Sequence, residues 1–355
     1  MKLTLKLKLL PTAEQESLLW STMREYIRTV NELVDMMVLF GSFGKLSSAN
    51  VSADLPSALR GQCVQDAKSI YKKYRKTGIQ PVLKKPAAIW NNQNYKIADG
   101  CISFPVLVDG KCTRISVRLA APANPAEALK NFEGGELGTL RITPKSGKLI
   151  AQIAIEAAEQ PSIGGGVLGV DLGLKCPAVC AADNGKVLFV GNGRKNKYIR
   201  RHFKAKRRKL GKAKKFNAIK KLNNKEQRIM QDTDHKISRQ IVNFANTNGV
   251  GIIRLEQLAK IRKTARTSRK NEKNLHTWSF YRLAQYIEYK AKLAEITVEY
   301  VNPAYTSQRC PVCGKLNHAK DRLYQCTCGF RSHRDLVGAI NICSAPVAVG
   351  NRQSA

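Results

Sequence analysis

The chain has 355 residues, of which 61 are Lys or Arg and 26 are Asp or Glu, so its formal net charge is +35. This excess predicts a polyanionic partner, and no apolar run approaches the ~18 residues that a membrane-spanning helix needs. The first residues also lack the cleavage region of a secretory signal peptide. We therefore expect a cytoplasmic protein, neither secreted nor bound to a membrane, that associates with the nucleoid if its host is a bacterium.

The N-terminal half is predicted to be a set of strands with two helices inserted. Residues 1–10 alternate Lys and Leu, as in an amphipathic strand. A helix follows, which Thr12 can cap with Glu16 nearby, and helical periodicity returns over residues 59–75. Short alternating segments with Asp-Gly, Pro and Ser-Gly turns fill residues 81–156. This pattern predicts a small antiparallel barrel or sheet that carries two inserted helices.

The C-terminal half begins after three glycines at residues 164–166, which we interpret as a flexible linker. Three strands, a helix, a strand, a helix and a further strand are predicted from there to residue 301, and one more helix lies near the end. This order is that of a ribonuclease H-like fold, with a cysteine-rich segment inserted before the last helix.

Three acids stand at the ends of predicted elements in this half. Asp171 and Glu256 each end a hydrophobic run that predicts a buried strand, and Asp335 precedes an apolar run with helical spacing. A lone acid at a helix start is usually a cap or a partner of the helix dipole. Two acids at strand ends and a third on a helix could instead converge on a pair of divalent cations. Carboxylate oxygens suit Mg²⁺ or Mn²⁺, and paired Mg²⁺ ions suit phosphodiester hydrolysis.

The cysteine-rich segment carries two close pairs of thiols about a dozen residues apart, which is the spacing of a zinc ribbon. The pairs are Cys310 with Cys313 and Cys326 with Cys328. Two structural disulfides are the alternative. Because the second pair is separated by a single residue, His333 is a substitute ligand if Cys326 does not bind. The prediction is one Zn²⁺ ion held by all four cysteines.

A basic run provides the strongest candidate for nucleic-acid binding. Residues 194–221 contain fifteen Lys or Arg and no acid, with Tyr198, His202 and Phe216 interleaved. A solvated surface is the usual meaning of a charge run, but the aromatic residues favour contact with phosphates. Further candidate contacts lie on the second helix, where a solvated face is the favoured interpretation. Another lies just before the first cysteine, where a structural turn remains an alternative. The candidate contacts are Lys204, Lys206, Arg207, Arg208 and Lys209 in the run, Gln65, Lys72 and Lys76 on the helix, and Gln308 before the cysteines.

The segments GVDLGLK, HKISRQIVNFA, IIRLEQL, YTSQRCPVCG and CGFRSHRDLVGAINI resemble the TnpB proteins, transposon-encoded RNA-guided nucleases related to compact type V CRISPR effectors. The resemblance is strong from residue 167 to residue 343 and weaker before residue 160. It implies an α/β multidomain chain: an N-terminal wedge-type β-barrel with a helical recognition insert, and a C-terminal RuvC (ribonuclease H-like) domain with an inserted zinc ribbon. The implied boundaries are 1–160 for the wedge with its insert at about 12–77, 161–304 for the RuvC core, 305–332 for the target-nucleic-acid-binding ribbon, and 333–355 for the last RuvC segment and tail.

By the same resemblance, Asp171, Glu256 and Asp335 match the three catalytic acids of the family. The implied function is an Mg²⁺-dependent endonuclease that a guide RNA directs to double-stranded DNA beside a short adjacent motif. A catalytically weak or inactive RNA-guided DNA binder of the repressor type is the alternative, and a DNA-strand transferase is disfavoured because the motifs are of the RuvC kind. The sequence leaves the guide structure, the adjacent motif and the oligomeric state open.

Overall fold

The computed structural model of the chain describes residues 2–42, 44–120, 136–156, 164–222, 224–258, 279–319 and 321–346. The chain divides into two compact units, Met1–Ala158 and Glu159–Ala355. None of the helices in the described ranges combines the length and the apolar character that crossing a bilayer requires.

The first unit is built on a seven-stranded antiparallel sheet. Its hydrogen-bonded order is β2-β6-β7-β1-β5-β4-β3. The first strand is shared by both halves of the sheet, since residues 2–8 pair with β7 whereas Leu9 and Leu10 pair with β5. The strands are β1 (Lys2–Leu10), β2 (Ala88–Trp90), β3 (Lys96–Ala98), β4 (Cys101–Val108), β5 (Lys111–Leu119), β6 (Glu136–Lys145) and β7 (Lys148–Glu156).

Two helices, α1 (Ala13–Leu39) and α2 (Ser57–Thr77), are inserted between β1 and β2, as the sequence predicts. The cap of α1 differs from the prediction in its partner. Thr12 accepts a hydrogen bond from the backbone N–H of Gln15, and the Gln15 side chain accepts one from the backbone N–H of Thr12, both at 3.2 Å. A capping box joins the N-cap residue to the third residue of the helix. Because Ala13 is the first helical residue, that third residue is Gln15 and not Glu16.

The second unit is a five-stranded mixed sheet in the order β10-β9-β8-β11-β12. Strands β8, β11 and β12 are parallel, and β9 and β10 are antiparallel to their neighbours. The strands are β8 (Gly166–Asp171), β9 (Ala178–Ala182), β10 (Val187–Val190), β11 (Val250–Glu256) and β12 (Thr297–Val301), and a separate hairpin pairs β13 (Leu323–Gln325) with β14 (Arg331–His333).

Helices cover both faces of this sheet. Alternate residues of β9 enter different apolar clusters: Ala178, Cys180 and Ala182 pack with residues of α5 and α6, whereas Val179 and Ala181 pack against Ala339 of α7. A sheet buried on both faces explains why its parallel strands appear in the sequence as continuous apolar runs. The helices are α3 (Gly193–Lys212), α4 (Phe216–Leu222), α5 (Lys225–Thr247), α6 (Phe280–Leu293) and α7 (Arg334–Ser344).

Two segments differ from the sequence predictions. The basic run is helical, since it forms α3 and α4. The prediction of a flexible linker at the three glycines is wrong for two of them. Gly166 begins β8, and a Cβ added to Gly164 would lie 2.6 Å from the backbone nitrogen of Gly251. These glycines therefore allow a close approach of two backbone segments.

Candidate functional site

Asp171 and Glu256 lie side by side because they end two adjacent parallel strands. Asp171 is the last residue of β8 and Glu256 is the last residue of β11. The register pairs Val170 with Leu255, so the next position along each strand carries an acid. Neighbouring strands lie ~4.8 Å apart, and both carboxyl groups therefore emerge at the same edge of the sheet.

Asp335 reaches this edge from the first turn of α7, which packs across β8 and β9. Close packing depends on Gly169, where an added Cβ would lie 2.1 Å from the carbonyl oxygen of Ala339. One turn after Asp335, a Cβ added to Gly338 would lie 3.0 Å from Oδ2 of Asp171. Residues three apart on a helix share a face, so Asp335 and Gly338 both face the Asp171 carboxylate.

The electrostatics show that the three acids form one group. Burial raises the pKa of Asp171 well above its usual range, and the nearby carboxylates of Glu256 and Asp335 raise it further. Arg334 and Arg322 oppose this shift. Burial also raises the pKa of Glu256, against the hydrogen bond that it accepts from Thr306. Desolvated carboxylates such as those of Asp171 and Glu256 favour either protons or a bound cation.

Three neighbouring residues fix the orientation of these acids. The hydroxyl of Thr306 donates to Oε1 of Glu256, and both carboxylate oxygens of Asp335 accept from the guanidinium of Arg322. Asn341 on α7 donates to the carbonyl oxygens of Thr306 and Arg309, both at 2.7 Å. The helix that carries the third acid is thereby tied to the loop that orients the second. Their polar side chains lie in loops or on a helix face without periodicity, so the sequence offered no signal for these roles.

The four cysteines lie together as the spacing predicts. Among the residues that the structure describes, they are the one group of possible metal ligands whose atoms all lie within 4.8 Å of one another. The sulfur separations are 3.7 Å between Cys310 and Cys328 and 3.4 Å between Cys313 and Cys326. These distances exceed the ~2.05 Å of a disulfide and are close to the ~3.8 Å between sulfurs in a tetrahedral zinc site.

Backbone turns and one amide support the cysteine cluster. Gly314 and Gly329 adopt positive φ angles of 74° and 89° and close the two turns. Asn317 donates to the sulfur of Cys326 at 3.2 Å, and a backbone hydrogen bond from Cys328 is the main reason why the pKa of Cys326 falls to about 6. A thiolate is the form that binds metal.

The predicted substitute ligand, His333, is engaged elsewhere. It is the N-cap residue of α7, and its Nδ1 accepts a hydrogen bond from the backbone N–H of Asp335 at 3.3 Å. Its ring also stands edge-on to Phe189, with 5.3 Å between the ring centres. All four cysteines are present in the cluster without it.

The predicted nucleic-acid contacts occupy different environments. Lys204, Lys206, Arg208 and Lys209 are exposed on α3, whereas Arg207 is half-buried and forms an ion pair with Glu226. On α2, the exposed side chains at spacings of seven and four residues share one face, and they are Gln65, Lys72 and Lys76. Gln308 is half-buried in a turn, where its N–H donates to Tyr305 and its carbonyl accepts from the Tyr324 hydroxyl, both at 2.9 Å.

Comparisons with known proteins agree with this geometry. A family model described as "Probable transposase" matches residues 151–262, which include Asp171 and Glu256. A second model, "Cas12f1-like, TNB domain", matches residues 280–342, which include the cysteine cluster and Asp335. The fold is also that of a Cas12f1 solved in a cryo-EM complex with guide RNA and target DNA, with a TM-score of 0.67 at 18% identity, over 93% of this chain and 82% of that one.

Two relatives are similar in sequence. The TnpB-like protein MJ0751 of Methanocaldococcus jannaschii is 36% identical over 169 residues, and the Cas12f1 endodeoxyribonuclease of Sulfoacidibacillus thermotolerans is 29% identical over 194 residues. The matches cover 45% and 50% of this chain, and 60% and 44% of those relatives, so the shared region is less than two thirds of either relative. Over these residues the chain is similar in sequence to the TnpB-like and Cas12f1 proteins, and both family models match the same half of the chain.

Proposed function

We propose that this chain is an RNA-guided DNA endonuclease encoded by a transposon, which hydrolyses phosphodiester bonds of double-stranded DNA beside a short adjacent motif. The observation that carries the proposal is the convergence of Asp171, Glu256 and Asp335 from two strands and a helix. In this proposal the second unit is a RuvC domain with an inserted zinc ribbon and the first is a wedge-type barrel with a helical recognition insert. The proposed boundaries are those that the sequence predicts, and the proposed location is the cytoplasm.

The donor set fits divalent cations of the magnesium type. Asp171, Glu256 and Asp335 offer only oxygen ligands. Burial raises the pKa of Asp171 and of Glu256, and repulsion by the other two carboxylates raises that of Asp171 further, so positive charge nearby would stabilise their ionised forms. Bound Mg²⁺ or Mn²⁺ ions would activate a water for in-line attack on phosphorus and stabilise the leaving 3′ oxygen. The chain itself contributes orientation, because Thr306 holds Glu256 and Arg322 holds Asp335.

The four cysteines fit a structural Zn²⁺ ion, which would fix the hairpin of β13 and β14 relative to α7. Arg322, which precedes β13 and pairs with Asp335, belongs to the same segment. Fixing the hairpin therefore also fixes the partner of the third acid. Zinc would therefore support the acid site indirectly, through the position of that guanidinium.

We propose guide RNA and target DNA as the partners of the exposed basic face of α3. The supporting observation is a helix whose solvent side is almost entirely basic, in a chain whose net charge is +35. Phosphate contacts of this kind position a nucleic acid without reading its sequence, which suits a protein in which base pairing with a guide supplies specificity. The Cas12f1 that shares the fold was solved with guide RNA and target DNA.

A catalytically weak RNA-guided DNA binder is the second candidate. The observation in its favour is the ion pair between Arg322 and Asp335, which occupies both oxygens of the third acid. In a nuclease, this guanidinium has to share Asp335 with a cation. In a pure binder, it is a lasting structural contact.

A cleavage assay separates the two. The substrate is a plasmid that carries a guide-matched site beside a randomised flank, incubated with the protein and its copurified RNA in Mg²⁺ or in chelator. Asp171→Ala, Glu256→Ala and Asp335→Ala should each abolish cutting and retain binding, since these acids add nothing to phosphate attraction. The losses should be non-additive. Asp232→Ala is the matched control, because Asp232 is an exposed acid on α5 that pairs with Lys236 in the next turn. A wild type that binds the target and never cuts in Mg²⁺ would favour the binder.

A further inference from the structure

The second unit contains a polar cavity that the proposed function does not use. It has a volume of about 280 Å³ and is lined by residues of α3, the N-terminal part of α5, including the carboxylate of Glu226, and the first turn of α6. Three of the lining residues are arginines, Arg200, Arg207 and Arg282, and none of the three acids of the candidate active site lines it. A cofactor pocket is usually mostly apolar, so this lining favours an anionic ligand.

The ion pairs around the cavity leave one guanidinium without a carboxylate. Arg207 pairs with Glu226, and Arg282 donates from Nε and Nη2 to Oδ2 of Asp234 at 2.8 and 2.6 Å. Within the described ranges, the side chain of Arg200 forms no hydrogen bond or ion pair with another residue. Asp234 is already 98% buried beneath Arg282 and is committed to it. Arg200 is therefore the cation of this cavity that a ligand can satisfy.

The environment of Arg200 also favours an incoming anion. Arg200 is half-buried, and this burial lowers the pKa of its guanidinium. The carboxylates of Glu226 and Asp234 oppose this shift, whereas the positive charge of Arg282 adds to it. A desolvated cation beside a second cation is destabilised, and an anion bound between them relieves both effects. The planar fork of a guanidinium matches the oxygens of a phosphate, to which it can donate two parallel hydrogen bonds.

The size and the remaining lining restrict the ligand further. A volume of about 280 Å³ equals the share of roughly nine water molecules in the liquid, which is too small for a duplex and suits one nucleotide. Gln227 supplies an amide that can donate and accept, and Met230, with 3% of its surface exposed, supplies an apolar wall. Arg200 and Arg207 lie on α3, which also carries the exposed basic residues.

We propose that this cavity binds one phosphorylated nucleotide unit of a single-stranded nucleic acid, with its phosphate on Arg200. The inference rests on the proposed function for the nature of the polyanion, and it adds a defined pocket to the general attraction by α3. RNA and DNA share the phosphate chemistry, so the experiment tests both.

The test measures binding of a short single-stranded RNA, and of DNA of the same sequence, to the full chain without Mg²⁺. Arg200→Gln should weaken binding about tenfold or more, because it removes a charge-assisted contact, and should reduce the salt slope by about 0.7. Arg200→Lys should keep the slope and lose affinity, because it keeps the charge and loses the fork. Arg239→Gln is the matched control, since it removes the same charge from an exposed position of α5, outside the basic face of α3. A stronger effect with RNA or with DNA identifies the source of the phosphate.

Equal effects of Arg200→Gln and Arg239→Gln would overturn the inference. If Arg200→Gln does not fold, the wild type decides. The oligonucleotide should protect Arg200 from phenylglyoxal more than it protects Arg239, as read by peptide mass spectrometry, and equal protection overturns the proposal. The outcome is independent of the proposed function. If the chain cleaves DNA under guidance but the two variants lose binding equally, only the proposed pocket is refuted. If binding depends on Arg200 but the chain never cuts DNA, only the nuclease proposal is refuted.

Discussion

Replacing Gly169 with alanine would separate α7 from the strand that carries Asp171. The new Cβ would lie 2.1 Å from the carbonyl oxygen of Ala339 and 2.4 Å from the backbone nitrogen of Cys343. Both are backbone atoms of α7, so no side chain can rotate away. Ordinary contacts of a Cβ begin near 3.4 Å, and the helix must therefore move by more than about 1 Å.

Two consequences follow from a shift of this size. Overpacking at a backbone contact costs about 1–3 kcal/mol, which lowers the melting temperature by about 2–4 °C per kcal/mol for a unit of this size. A misplacement of about 1 Å between catalytic groups costs on the order of 100-fold in rate, so guided cleavage should fall by about that factor because Asp335 moves with α7.

The assay compares thermal unfolding and guided cleavage at 25 °C for the wild type, Gly169→Ala and a control. Gly165→Ala is the matched control, because nothing lies within 4 Å of its Cβ position and its backbone does not need glycine. Equal melting temperatures for Gly169→Ala and Gly165→Ala would refute the packing argument. A destabilised Gly169→Ala that cleaves as fast as the control would show that the position of α7 does not set the geometry of the acids.

Three further predictions concern other parts of the second unit. Cys310→Ser should reduce bound zinc from about one ion per chain to almost none in elemental analysis, while Cys112→Ser, at an exposed thiol outside the cluster, should retain it. Gly338→Ala should leave the melting temperature unchanged or raise it, because alanine is the better helix former by about 1 kcal/mol. It should nevertheless slow cleavage roughly tenfold, because its methyl group crowds Oδ2 of Asp171 at 3.0 Å. Cleavage by Gly338→Ala at the wild-type rate would contradict this. Burial lowers the pKa of Lys290 from 10.5 to about 8, so the unfolded chain holds this proton more tightly than the folded chain. The free energy of unfolding should therefore rise as the pH increases from about 8 to 10.5, by at most about 3 kcal/mol and by less where water reaches the ammonium. Lys290→Met should remove that rise in paired denaturation curves.

The elements that the sequence predicts well are those with strong periodicity. The alternating β1 and the apolar runs that end at Asp171 and Glu256 are strands, and these runs place both acids because parallel strands end at a common edge. The cysteine spacing is equally informative, since ligand geometry restricts it. In contrast, α3 has a single large buried side chain, Phe203, so its apolar signal is too weak to reveal a helix within the basic run.

The contacts that orient the acids could not be predicted, because they join residues far apart in the sequence. Thr306 lies 50 positions from Glu256, and although it stands in a segment that resembles the TnpB proteins, no spacing or periodicity joins it to Glu256. The linker prediction at residues 164–166 failed for the same reason. A glycine required by a close backbone approach and a glycine in a linker are identical in the sequence, and only the neighbour at residues 249–251 tells them apart.

The docking of α7 on β8 also determines when the carboxylate group is completed during synthesis. Asp171 leaves the ribosome well before Asp335, and at about 5–20 residues per second the interval between them is roughly 10–30 s. During that interval β8 can already pair with β9 and later with β11, but α7 has not yet packed against β8 at Gly169. A nascent chain therefore carries an incomplete set of acids until Asp335 has emerged, and any chemistry at this site is delayed until α7 has docked.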